Sequence, residues 1–184
     1  ISTAKKATFK SLLRNWITVY FANFAGALIL TAIIAASGLW DQNHFLTGAS
    51  ALKIAHTKVQ LSFVEAFARG ILCNWLVCLA IWMAYASKQV VGKIFAIFFP
   101  ITIFVASGYE HCIANMYYIP KGLLLKTVPE VVSAAGLTMD SLSDLTVKTF
   151  IVNNLIPVTL GNIIGAAIFV AFLFWVVYLR NNQD

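Results

Sequence analysis

The sequence predicts an all-α integral membrane protein, a helical bundle built on an inverted repeat with one transmembrane helix broken part-way. Three observations lead there. Of the 184 residues, 60% are hydrophobic and only 11% charged, with a mean hydropathy of +0.83; such a chain cannot cover a globule with polar surface, so the bilayer is its solvent. The apolar residues gather into blocks long enough for the roughly 20 residues that a helix needs to cross about 30 Å of hydrocarbon. Finally, "SGYEHCIANMYYIP" (107–120) sets two ionisable side chains, Glu110 and His111, directly after one of these blocks.

The first span, about residues 16–39, is uncharged and lies between Trp16 and Trp40, side chains suited to the two membrane interfaces. The second, about 60–87, centres on "GILCNWLVCLAIWMAYAS" and extends upstream through Phe63 and Phe67. The third, about 91–120, and the fourth, about 150–179, are long for plain spans, so an interruption is expected in each. Together they form a single transmembrane domain over residues 1–184.

Basic residues orient the spans. Lys5, Lys6, Lys10 and Arg14 precede the first, Lys88 and Lys93 separate the second from the third, and Arg180 follows the fourth. By the positive-inside rule all three places are cytoplasmic, the C-terminus included, and the mixed-sign connections 40–69 and 121–148 lie outside. The excess of 13 Lys+Arg over 7 Asp+Glu therefore reads as topology; with no aromatic-interleaved basic face it does not point to nucleic acid. Cys73, Cys78 and Cys112 sit inside apolar runs without CxxC spacing, which predicts neither disulfide nor metal site, and no cofactor motif accompanies them.

The first and last spans share Asn-x-x-Gly-Ala, as "NFAGA" (23–27) and "NIIGA" (162–166). Matching elements at opposite ends are the mark of an inverted repeat, a common plan for transport proteins. On that plan the second and third spans lack partners, so about a third of the protein is expected to precede Ile1. Gly26 and Gly165 would allow close helix approach around a pore, leaving Phe24, Phe169, Phe172 and Trp175 to face lipid or a neighbouring protomer.

Within the third block, Ser107-Gly108 weakens the helix and Pro120 is expected to end it, which predicts a break near 107–112 followed by a short helix. Broken backbone at membrane depth is tolerated only where protein buries it or a watery cavity borders it. His111 is then a candidate proton-exchanging residue of a pathway, with Glu110 beside it, and intramembrane charge is costly enough to favour that over packing. Asn74, Asn115 and Asn162 need partners inside apolar helices, as helix-bonding or substrate-contacting groups. Lys58, read as starting the second helix on the outer side, either attracts anions into a vestibule or snorkels at the lipid interface.

"ASGYEHCIANM" (106–116), "GILCNWLVCLAIWMA" (70–84), "NLIPVTLGNIIGA" (154–166) and "NWITVYFANFAGA" (15–27) resemble the formate/nitrite transporter family, in the order of the last four of its six spans. The resemblance runs over essentially the whole chain. It implies an aquaporin-like fold in a bacterial cytoplasmic membrane, a homopentamer with one pore per protomer, and a fragment lacking the first two family spans. It also implies that His111 is the central pore histidine, Lys58 the vestibule lysine, Asn74 and Asn162 pore-side asparagines, and Phe104 part of an apolar constriction. "GYEH" is closer to nitrite-type members, whereas "IPVTLGNIIG" and the 121–148 connection look formate-type, so the substrate stays open among formate, nitrite and hydrosulfide.

A small monovalent anion of a weak acid suits these residues physically. An apolar constriction opposes a bare charge by many kcal/mol, whereas the protonated acid crosses as a neutral molecule. The alternative, an aquaporin-like channel for small neutral solutes, would share the broken helix, but the chain has no Asn-Pro-Ala tripeptide. An intramembrane enzyme would need a fuller constellation than Glu110-His111.

Overall fold

The first helix, α1 (Phe9–Ala36), starts at Thr8, whose hydroxyl accepts the Ser11 N–H at 3.2 Å and so satisfies one of the donors that a helix start leaves open. It therefore begins about two turns before Trp16, taking Lys10 and Arg14 into its own first turns. The computed structural model describes residues 8–180; Lys5, Lys6 and the C-terminal residues after Arg180 lie outside them. All regular structure among the described residues is helical, and α1, α3 (Phe63–Ala86) and α7 (Val147–Leu179) are long and apolar enough to cross a membrane. Their many exposed Phe, Leu, Ile and Val side chains are what hydrocarbon-facing helices present.

The chain packs as two compact units, one made of the residues up to Ser62 with Ile113–Ile156, the other of Phe63–Cys112 with the residues from Pro157 on. The first unit contains α1, α2 (Leu46–Val59), most of α5 (Cys112–Leu125), α6 (Pro129–Ala134) and the start of α7. Its core is Leu52, Ala55 and Val59 of α2, Met116 and Ile119 of α5, Val131 of α6, and Leu142 and Leu145 of the following loop. Gly122 lets α5 lie directly on Ala55 of α2, and Gly48 lets α2 lie on Val131 and on the Trp40 carbonyl. Pro120, expected to end the third block, is buried inside α5, which continues to Leu125. Proline costs a helix one hydrogen bond and local straightness, and packing evidently outweighs that here.

The second unit pairs α3 with α4 (Val90–Ala106) and with the later part of α7. Ala66, Cys73 and Ala80 recur every seventh residue on α3 and are all buried, a stripe of small side chains on one helix face. Against α3 lie Gly161 and Gly165 of α7: a Cβ on Gly161 would meet the Phe67 carbonyl oxygen, and one on Gly165 the Ile71 carbonyl oxygen. The two backbones touch there.

The fourth block is not broken. Helix α7 runs without a gap for 33 residues and accommodates its length with wider π turns at Phe150–Leu155, Ala167–Phe172 and Trp175–Leu179. The first of these precedes Pro157, whose missing N–H leaves a carbonyl one turn earlier without its helical partner. Of the aromatic residues expected to face outward, Phe169 and Phe172 are exposed, Phe169 also stacking on Trp75 at 5.0 Å, whereas Phe24 is half-buried and stacks on Phe150 at 6.3 Å.

Candidate functional site

Helix α4 ends in a Schellman motif. Ser107 caps it, Gly108 takes φ of 67°, and the N–H groups of Gly108 and Tyr109 return to the carbonyls of Val105 (3.2 Å) and Phe104 (3.1 Å). Glycine takes that left-handed position without a Cβ clash, which explains why the chain stops turning at Ser107-Gly108. The backbone then crosses to α3, where the Glu110 N–H meets the Arg69 carbonyl at 3.3 Å, and helix resumes at Cys112.

One side chain closes this break. The Asn162 Oδ1 accepts the Cys112 N–H at 2.9 Å, while its Nδ2 donates to the carbonyls of Gly70 (2.8 Å) and Glu110 (2.9 Å). Asn74 in turn donates from Nδ2 to the Asn162 carbonyl at 2.7 Å. Asn162 thus satisfies backbone groups that a helix gap leaves open in an apolar setting, and Asn74 braces the turn of α7 that carries it. Glu110 and Asn162 are buried, and His111 is half-buried with its ring 6.2 Å from that of Phe104. Five residues singled out from sequence, Phe104, Glu110, His111, Asn74 and Asn162, meet around this one interruption in the second unit.

Lys58 belongs to the first unit, and its placement corrects the sequence reading. It lies in the last turn of α2, before the gap at Gln60–Ser62, and does not start the second span. Its ammonium sits 5.8 Å from the Tyr118 ring centroid. The end of α2 is held by residues that the sequence did not single out: Asn154 donates to the Lys58 carbonyl at 2.9 Å and Asn153 to the Val59 carbonyl at 3.5 Å. Asn115 donates to the Asn154 Oδ1 at 2.7 Å. Each of the two helix gaps is therefore tied by an asparagine of α7, Asn154 in one unit and Asn162 in the other. The doubled Asn before "LIP" was the available signal.

The shared Asn-x-x-Gly-Ala motif does not pack alike at its two occurrences. Asn23 is exposed and donates to the Val19 carbonyl of its own helix, and a Cβ on Gly26 would meet nothing within 4 Å. Among the described residues no cluster of His, Cys, Asp and Glu could hold a metal ion.

A family model for formate/nitrite transporters matches residues 2–176. The chain belongs to this family. Among formate/nitrite transporters, the formate channel FocA of Escherichia coli (strain K12) is 43% identical over 180 residues, covering 97% of this chain and 63% of that protein. The probable formate transporter of Methanothermobacter thermautotrophicus is 41% identical over 191 residues, at 96% and 63% coverage. A solved pentameric formate channel with formate bound superposes with a TM-score of 0.87 at 40% identity, over 95% of this chain and 69% of that one. An ion channel of the formate/nitrite transporter family gives 0.76 at 25% identity, over 95% and 63%. The chain spans 63% of the length of these two curated relatives. Family membership and the apolar helices make it a multi-pass membrane protein.

Proposed function

We propose that this protein forms a pore for small monovalent anions of weak acids, formate foremost, with nitrite and hydrosulfide served by the same chemistry. The observation that carries the reading is the interruption at 107–111, where a histidine stands between a Schellman turn and the start of α5. A helix start carries partial positive charge from its open N–H groups, so an anion approaching His111 meets a favourable potential from both the imidazole and α5. A proton passing from a charged His111 to the anion gives a neutral acid that can cross an apolar constriction at Phe104; the imidazole then regains its proton from water. Glu110 lies beside this step, Asn74 and Asn162 hold its backbone in shape, and Lys58 raises the local anion concentration at the outer mouth. No cofactor or metal enters the scheme.

The similarity to a pentameric formate channel with formate bound supports a homopentamer with one pore in each protomer. An aquaporin-like inverted repeat within one transmembrane domain rests on the recurrence of Asn-x-x-Gly-Ala in the sequences of α1 and α7, although the two copies pack differently. The placement of Lys and Arg supports a C-terminus on the cytoplasmic side, and the similarity to a bacterial formate channel supports a bacterial cytoplasmic membrane. Reconstitution of the full protein in liposomes tests the reading: uptake of labelled formate should exceed that of glycerol and rise as external pH falls. Glycerol uptake without formate uptake would overturn it.

A further inference from the structure

Apart from the broken helix, the first unit contains a cluster that the transport scheme does not use. His56, half-buried in the last turn of α2, has its Nε2 3.1 Å from the Oδ1 of Asp144 and 3.0 Å from the Nε2 of Gln60. The two contacts make opposite demands. A carboxylate only accepts, so Asp144 requires a proton on His56 Nε2; an amide NH₂ only donates, so Gln60 requires that nitrogen bare. One nitrogen cannot serve both at once.

The two partners also differ in how firmly they are held. Asp144 sits in a pinned loop: its carbonyl accepts the Thr149 hydroxyl, and Lys126 Nζ donates to the flanking carbonyls of Leu142 (2.9 Å) and Leu145 (3.0 Å). Gln60 is the exposed C-cap of α2, at the start of the gap that leads to α3. Other titratable groups surround α2. It carries Lys53 and Lys58; α5 brings Tyr117, Tyr118 and Lys121, α6 brings Glu130, the loop before α7 brings Asp140, and the start of α7 brings Lys148. Among the described residues, only Asp144 forms an ion pair with His56.

We propose that His56 is a protonation switch at the end of α2. With Nε2 protonated, the ring is bound to Asp144 and α2 is tied to the pinned loop. With Nε2 bare, the ring leaves the carboxylate and accepts the Gln60 N–H, which closes the last turn of α2 on itself; the proton is exchanged with water. Lys58 shares that turn, so its ammonium shifts with the switch. This last consequence rests on the pore reading above, whereas the switch itself does not.

Nitrogen-15 NMR on the full protein in lipid nanodiscs, with labelled histidine, tests the switch; the chain has three histidines, and H56Q identifies the signal of His56. The neutral ring should carry its proton on Nδ1, and in the charged ring D144N should remove the shift that a carboxylate partner gives the Nε2–H signal. Q60A should move the neutral ring toward the Nε2–H tautomer, a readout that stays available should D144N fold poorly. A neutral wild-type ring protonated on Nε2, or an unchanged Nε2–H signal in well-folded D144N, would overturn the proposal. Formate uptake is measured in parallel. Tautomer and Nε2–H signals as expected without uptake leave the switch standing and overturn the pore reading instead.

Discussion

The Asn162 side chain accepts the Cys112 N–H at 2.9 Å while its amide spans the carbonyls of Gly70 and Glu110, so one residue joins α3, α7 and both edges of the helix break. Replacing it with Ala should leave a buried donor and two acceptors short of a partner. At about 1–3 kcal/mol for such a loss, tempered by the weaker hydrogen-bond values measured in membranes, the expected cost is roughly 2 kcal/mol. Asn162→Asp keeps the acceptor for Cys112 but aims a carboxylate at two carbonyls, so it should melt no higher than the Ala variant. Thermal unfolding in detergent decides this; an Asn162→Ala protein that melts with wild type would mean the break holds itself.

Gly161 and Gly26 should respond oppositely to the same substitution. At Gly161 the new methyl meets the Phe67 carbonyl oxygen, part of a rigid helix that cannot rotate away, so Gly161→Ala should force α3 and α7 apart at about 1–3 kcal/mol. At Gly26 nothing lies within 4 Å, and the gain in helix propensity should leave Gly26→Ala neutral or stabilised by up to about 1 kcal/mol. The melting temperature of purified Gly161→Ala should therefore fall, while that of Gly26→Ala should not. A large loss at Gly26 would show its face covered in the assembled protein.

How much of this the sequence disclosed follows from what each signal measures. Hydropathy located the long apolar segments because each exceeds bilayer thickness, and Ser107-Gly108 marked a break because glycine enters a left-handed cap with no Cβ penalty. Pro120 misled for the complementary reason: the rule describes a local cost, and buried packing in α5 exceeds it. Lys58 was assigned to the wrong helix because "KVQLSF" has no glycine or proline to announce the gap that follows it. That gap is tied by Asn154, nearly a hundred residues later, and a contact so distant leaves no local mark in the chain. The opposing His56 contacts were hidden likewise, since Asp144 meets the imidazole only through the fold.

Lys58→Ala should weaken formate uptake at low concentration more than at saturation. On the proposed pore reading, a charge at the mouth raises local anion concentration without taking part in the narrow step, so its removal raises the half-saturating concentration and leaves the maximal rate near wild type. High salt should shrink the difference, because at about 1 M the Debye length falls to about 3 Å. A variant losing the same fraction of flux at every concentration and ionic strength would rule steering out.

His111→Phe should remove the pH-dependent part of formate flux between about pH 5 and 8, the interval in which histidine is the side chain whose ordinary titration changes charge. The Phe variant keeps an aromatic ring opposite Phe104, so the packing that places the two rings 6.2 Å apart is disturbed little. Glu110 is the competing proton carrier, being buried and adjacent, and Glu110→Gln separates the two. If the imidazole supplies the proton, Glu110→Gln should retain the pH dependence even where its overall rate drops, while His111→Phe should lose it. Labelled formate uptake into liposomes at a series of external pH values reads both variants. The reverse pattern, with pH dependence surviving in His111→Phe and vanishing in Glu110→Gln, would transfer the proton to the carboxylate and leave His111 as a source of positive potential or of packing.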